Sequence, residues 1–343
     1  MAGRQTMGVA GWTASMTSAP ALPPVGRGSR DQGDHAFWAP SAMCPTPPNK
    51  ARTRSAVELA GQVALVAASF FRTRPRRKGV LGGLPYADGI PSRMDHAMPA
   101  ELRELTVHID TSRWNETVLH AVDLVVPDGK ITALLGESGC GKSMAAAALT
   151  GSLPDSARST GEVRIGGEPV RGQRQWRRLR GGTVGLLPQA GVTAFHAEDT
   201  VGAQLRALET RYRRWSVDRA CEAARYPTEL GDLYPNQHSG GQIQRAALAA
   251  ALLPEPRVLV ADEPTASLDT ENAYGVWVTL RRYADAGAAV LVITHDVPML
   301  AAAKIADHVV LMRSGKVFAT GDLATLAALE DSYVRGFFQP SGY

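Results

Sequence analysis

Cysteine is scarce in this 343-residue chain: Cys44, Cys140 and Cys221 are the three present, and no two form a CxxC pair. So sparse and odd a set argues against a disulfide framework or a cysteine zinc site, and suits a reducing compartment. Long apolar runs are missing as well. The nearest candidate, residues 56–71 (AVELAGQVALVAASFF), includes Glu58 and Gln62 and falls short of the ~18–20 residues of a membrane span. The basic run Arg72–Lys78 follows that stretch, whereas a secretory signal carries its positive charge first. The stretch reads as a marginal solvated helix, with a weak membrane-surface role as the alternative. The expected location is cytoplasmic.

The net charge of +4 is unevenly spread. Residues 1–97 hold 12 Lys and Arg against 5 Asp and Glu, or +7, while residues 98–343 hold 25 against 28, or −3. The main body therefore has no general attraction for nucleic acid, and no nucleic-acid partner is expected. Ten of the 22 prolines also fall in residues 1–97. Such a segment buries too little apolar surface to offset the entropy of ordering, so a basic, Pro-rich, disordered leader is expected there. Met94 and Met98 sit where the texture changes, which leaves a start assigned too far upstream as an explanation of the leader.

From residue 98 to about 338 one domain is expected. Leu102–Ile109 alternates like a strand, and apolar β-rich runs then alternate with Ala- and Leu-rich helical ones. Ile131–Leu135, Val258–Ala261, Val290–Ile293 and Val309–Met312 are short continuous apolar runs. Runs of that kind between helices suit a buried, mostly parallel sheet with helices on both faces, an α/β fold.

Gly136, Glu137, Ser138, Gly139, Cys140, Gly141, Lys142 and Ser143 match G-x4-G-K-[ST] between a strand and a helix. The glycines allow backbone N–H groups to wrap phosphates at a helix N-terminus. Lys142 is placed to reach the β- and γ-phosphates of ATP, and the Ser143 hydroxyl to ligate Mg²⁺. Arg257–Glu263 is an apolar strand ending in two carboxylates. Asp262 is the candidate Mg²⁺ holder, and Glu263 the candidate base or orienter for the attacking water.

His238–Arg245 (HSGGQIQR) then opens a helical run. Here the chain resembles the ATP-binding cassette (ABC) ATPases, whose signature is Leu-Ser-Gly-Gly-Gln ahead of a helix. His238 stands where that signature has leucine. Ser239, Gly240, Gly241 and Gln242 form a second anion-binding helix N-terminus, which in the family faces the nucleotide of the other subunit. The resemblance implies further roles. Gln189 is the loop glutamine that contacts Mg²⁺ and couples the site to a partner. Asp269, in Ser267-Leu-Asp269, belongs to the loop crossing the dimer interface. His295, in Ile293-Thr-His-Asp296, is the histidine at the γ-phosphate. Trp114, 22 residues before Gly136, is the candidate for stacking on adenine, beside a loop or core role.

The resemblance covers about residues 100–335. It implies the P-loop NTPase fold of ABC ATPases, with an antiparallel β subdomain and a helical subdomain inserted over about residues 190–250. Leu153–Gly161, Thr200–Gln204 and Tyr234–Gln237 are similar to the oligopeptide, dipeptide and nickel importer branch. In place of that branch's usual His-Pro-Tyr-Thr stretch the chain has Asp331-Ser-Tyr-Val334. The implied function is the Mg-ATP-hydrolysing subunit of an ABC transporter, on the inner face of the membrane. The implied partners are integral membrane permease subunits, a second ATPase subunit (identical or related), and a solute-binding protein. The alternative is a soluble ABC-type ATPase acting on ribosomes or DNA. It is weakened by the single cassette and by the mere 114 residues between Ser143 and Val258, too few for a long coiled coil.

Overall fold

The computed structural model describes residues 100–338 except 112, 113 and 304; Trp114, Ala302 and Ala303 are described by backbone alone. The expected leader and the expected helix over 56–71 lie outside the described residues, as does the side chain of Trp114.

Strand β1 (Ala100–Thr111) buries Ala100, Leu102, Leu105, Val107 and Ile109. It pairs antiparallel with β2 (Trp114–Val126), from Ala100 opposite Val126 to Thr111 opposite Trp114. The register shifts between Leu102 and Leu105, where Glu104 has φ 47° and its N–H is accepted by Asp123 Oδ1 at 2.8 Å. A bulge of this kind keeps the apolar residues on one face past an extra residue. Strand β3 (Ile131–Gly136) is buried throughout, and helix α1 (Lys142–Leu149) buries every residue from Met144 onward. The β-sheet begun by β1 is completed by β4 (Ala157–Ile165) and the short β5 (Glu168–Pro169), in the order β2-β1-β4-β5.

After α2 (Gly172–Leu179) and β6 (Val184–Leu187), the described residues 191–252 hold helices and turns. These are α3 (Val201–Tyr212), α4 (Val217–Ala223) and α5 (Gly240–Leu252), with three short 3-10 turns. The rest alternates: β7 (Val258–Asp262), α6 (Thr270–Asp285), β8 (Ala289–Ile293), α7 (Val297–Ala303), β9 (His308–Arg313), β10 (Lys316–Gly321), α8 (Leu323–Ala327) and α9 (Ser332–Phe338).

The central sheet runs β10-β9-β3-β8-β7-β6, parallel except for β10. All five residues of β8, and the first four of β7, are buried, so both faces of the sheet are covered. This is the mixed α/β fold expected. Asp307 pins the start of β3. Its carboxylate accepts from the Ile131 N–H at 2.8 Å and pairs with Lys130 at 3.1 Å and with Arg281. Because the strands are parallel, the loops after β3, β6, β7 and β8 all leave one edge of the sheet. Ligands of open α/β sheets bind at that edge.

Candidate functional site

The loop after β3 carries Gly136–Ser143. Gly136 ends the strand beside Met312 of β9, and a Cβ there would collide with the Met312 carbonyl. Gly141 has φ 105°, and a Cβ on it would come within 2.7 Å of Leu119 Cδ2. Both positions need glycine for the loop to fold back onto α1. Glu137, Ser138 and Gly139 are exposed at the tip of the loop. The Lys142 ammonium donates to the carbonyls of Gly136 at 2.7 Å and Glu137 at 2.8 Å. Cys140 is buried with its Sγ 3.9 Å from Lys142 Nζ. Burial holds its thiol above the ordinary range, the nearby lysine acting against this.

At the end of β7, Asp262 is pushed up to about 6, chiefly by burial and also by the Glu263 charge. A hydrogen bond from the Ser143 side chain and the charge of Lys142 pull the other way. Thus Ser143, Lys142 and Asp262, 120 residues apart in the chain at their extremes, meet at one point. Glu263 has φ 47°, a left-handed conformation uncommon for a side-chain-bearing residue. Its N–H is accepted by the Ile293 carbonyl at 2.9 Å, which ties this turn to the end of β8. The turn aims the Glu263 carboxylate at His295, whose Nδ1 donates to Oε1 at 2.8 Å. Side-chain exposure differs sharply across that pair, 75% for His295 and 11% for Glu263. The histidine reaches outward while the carboxylate is held in the protein, and one ring nitrogen, Nε2, remains for a ligand.

The signature segment is built differently. Ser239 caps α5: its Oγ accepts from the Gln242 N–H at 3.3 Å, and Gln242 Oε1 accepts from the Ser239 N–H at 2.9 Å. This reciprocal capping box fixes the helix start. A Cβ on Gly240 would lie 3.3 Å from Ser267 Cβ, and one on Gly241 3.1 Å from Leu268 Cδ2. The turn therefore lies directly on the Ser267–Asp269 loop. Asp269 caps α6, accepting from the Asn272 backbone at 2.9 Å and its side chain at 2.7 Å, and these bonds hold its carboxyl below the usual range. Arg245 of α5 in turn donates to Asn272 Oδ1 at 3.1 Å and to the Arg225 carbonyl at 2.7 Å. His238, at the leucine position, is held on both ring nitrogens. Nδ1 donates to the Tyr234 carbonyl at 2.9 Å, and Nε2 lies 2.8 Å from the Tyr226 hydroxyl. Burial raises the Tyr226 pKa, so that hydroxyl keeps its proton and donates to Nε2.

Gln189 is exposed just beyond β6. Its loop is fastened to the signature helix by buried Gln244, which donates to the Pro188 carbonyl at 3.1 Å. Gly191 abuts the same residue, since a Cβ there would lie 2.7 Å from Gln244 Cα. Gln244 and Asn272 are connecting residues to which the sequence reading gave no role. A polar residue one helical turn into an alanine-rich buried helix, as Gln244 is, was the available signal.

A phosphate loop on the central strand, with carboxylates and a histidine on the neighbouring strand ends, defines a P-loop nucleotide-binding fold. The ABC transporter family profile matches residues 119–266. The oligopeptide transport ATP-binding protein OppD of Mycobacterium tuberculosis is 34% identical over 233 residues, 63% of this chain. This chain covers 37% of the length of that relative. The metal-staphylopine import ATP-binding protein CntD of Staphylococcus aureus is 30% identical, over 64% of this chain and 84% of that protein. The dipeptide transport ATP-binding protein DppD of Bacillus subtilis is 31% identical, over 63% of this chain and 68% of that protein. A solved dimeric, post-hydrolysis ATP-binding cassette bound to ADP and Pi superimposes with a TM-score of 0.58 at 24% identity. The match covers 65% of this chain and 98% of that one. The chain belongs to the ATP-binding proteins of ABC transporters.

Proposed function

We propose that this chain binds and hydrolyses Mg-ATP as the ATP-binding subunit of an ABC importer, working on a separate integral membrane permease. The observation that carries the reading is the Glu263–His295 hydrogen bond, 2.8 Å long, at the ends of two strands beside the phosphate loop. Lys142 and the N–H groups at the start of α1 hold the phosphates. Glu263, with Oε1 engaged by His295, has its second carboxylate oxygen available to orient and deprotonate water. His295 Nε2 serves the γ-phosphate.

The donor set around Asp262 suits Mg²⁺. The Asp262 carboxylate and the Ser143 hydroxyl bonded to it are hard oxygen donors, and the exposed Gln189 amide is assigned to the same cation on the family resemblance. Burial makes an uncompensated charge on Asp262 unfavourable, and a divalent cation relieves it. Among the described residues no group of three His, Cys, Asp or Glu could hold a metal alone. That fits a cation whose shell is completed by phosphates and water. When bound, Mg²⁺ supplies neutralisation of phosphate charge.

Ser239, Gly240, Gly241, Gln242 and Asp269 act on the nucleotide of a second ATPase subunit, identical or related. The relatives' names support oligopeptides, dipeptides or metal chelates as the solute class, delivered by a solute-binding protein. No helix among the described residues is long and apolar enough to cross a membrane, consistent with a peripheral place on the permease at the cytoplasmic face. The test is Mg-dependent ATP binding and hydrolysis by the purified chain, then its recovery with a co-expressed permease pair. Failure to bind ATP removes the nucleotide reading. ATPase activity with recovery on ribosomes or DNA, and not on permease, removes the transporter.

A further inference from the structure

The stretch Asp331–Val334, which departs from the importer pattern, has no part in the reading above. Asp331 starts helix α9, its Oδ1 accepting from the Tyr333 N–H at 2.8 Å and the Val334 N–H at 3.3 Å. The cap sets Tyr333 against the phosphate loop. The Tyr333 hydroxyl donates to the Met312 carbonyl at 2.6 Å and accepts from the Glu137 N–H at 3.3 Å. Its ring is gripped edge-on by Phe318 and Phe337, with centroids 5.8 and 5.2 Å away, and Arg313 lies 4.9 Å from it. Burial raises its pKa, so the hydroxyl stays protonated and able to donate.

The Glu137 N–H and the Gly136 C=O are two ends of one peptide unit. Tyr333 holds the N–H end, and the Lys142 ammonium donates to the C=O end at 2.7 Å. A hydrogen-bonded chain therefore runs from the Met312 carbonyl through the tyrosine hydroxyl and the 136–137 peptide to the lysine. Each link polarises the next, and the chain fixes the plane of a peptide that a glycine at position 136 leaves soft.

We propose that Tyr333 is a positioning residue for ATP: it orients the 136–137 peptide and, through it, Lys142. The C-terminal helix is thereby part of the nucleotide site without touching nucleotide. This rests on the phosphate-loop reading of Lys142 given above.

The test is Tyr333→Phe in the full chain, which keeps the ring contacts and removes the hydroxyl. The expected result is a Kd for ATP about three- to tenfold higher, the size of one lost hydrogen bond. The thermal midpoint without nucleotide should stay within about 2 °C, and the Glu137 amide should exchange faster. Asp331→Ala, which lacks the cap, should shift Kd in the same direction. In a Lys142→Ala background, Tyr333→Phe should add little further loss, because the two act in one chain. An unchanged Kd in Tyr333→Phe, or full additivity with Lys142→Ala, overturns the proposal. So does a lowered thermal midpoint without a Kd change, the mark of a purely structural hydroxyl. Wild-type protein that fails to bind ATP would instead sink the nucleotide reading, so the two failures are distinguishable.

Discussion

At the phosphate loop, the groups assigned to the chemistry are bonded to one another: Lys142 to its own loop, Ser143 to Asp262, His295 to Glu263. At the signature turn, Ser239 bonds to its own helix cap, and both Ser239 and Gly240 are exposed. The first cluster stands on the ends of buried parallel strands, which fix its geometry at no further entropic cost. The second is a capped helix N-terminus, which the proposal above assigns to the nucleotide of another subunit. One chain thus presents one strand-built half of a site and one cap-built half. In the assembly proposed above, two chains related by a two-fold axis complete both.

The comparison breaks most visibly at Glu263. Glu263→Gln should keep ATP affinity within a few-fold, since Lys142, Ser143 and Asp262 remain, while single-turnover hydrolysis falls about 10²–10⁴-fold. Near-normal turnover would take Glu263 out of the role of base and leave His295 without its partner's function.

The next largest effect separates the two halves. Ser239→Arg should lower steady-state hydrolysis about 10–100-fold, through loss of a preorganised donor pair, and leave ATP binding to isolated chains unchanged. Lys142→Ala should lose both. Mixing the two variants puts both defects in one composite site and leaves the other wholly wild-type, so activity should return above either variant alone. Mixed dimers shown to contain both chains, yet recovering neither hydrolysis nor tight ATP binding in a Glu263→Gln background, would refute the shared site.

How much of this was legible in sequence also divides along the two halves. The phosphate loop and the strand-end carboxylates were legible because their chemistry is local, with spacing, strand and helix inside about ten residues. The Glu263–His295 pair was not, since it depends on β7 lying beside β8 in the sheet. The apolar runs of β3, β7, β8 and β9 announced themselves. Strand β10, with residues alternating between exposed and half-buried, and β4, with only Ile165 buried and Gly161 in its middle, carry little hydrophobic signal. The Tyr333 contact joins residues 196 apart through a hydroxyl, and no periodicity reports it.

Asp262 offers a smaller effect, on stability. Its folded pKa of about 6 lies above the ordinary carboxylate value of 3.8. Its ionisation therefore costs stability: the protonated form's advantage is fully present below about pH 4 and is lost as pH rises through 6. At pH 7 the cost is on the order of 1–3 kcal/mol. Asp262→Asn, without nucleotide or metal, should be more stable than wild type at pH 7 by that order, and indistinguishable from it at pH 4. It should also lose the Mg²⁺ dependence of ATP binding. A mutant less stable at pH 7 would place the carboxylate in a compensated environment and weaken the case for a cation there.

The smallest effect sharpens the signature half alone. His238 is satisfied only as a pair: its Nδ1–H needs the Tyr234 carbonyl, and its Nε2 needs the proton of Tyr226, which is 3% exposed. Tyr226→Phe removes one bond, and should cost about 1 kcal/mol of unfolding free energy. His238→Leu restores the family residue but leaves the buried Tyr226 hydroxyl without a partner, and should cost at least as much. Combining the two replaces both ends of the bond by apolar groups, so the double variant should be more stable than His238→Leu, as a double-mutant cycle in urea would show. ATP affinity at the phosphate loop should not move in any of the three. If it does, the two halves communicate within one chain through α4 and α5, and their separation is narrower than the hydrogen bonds imply. If instead His238→Leu is neutral by itself, water satisfies Tyr226 and the histidine is a tolerated substitute for leucine rather than a tether.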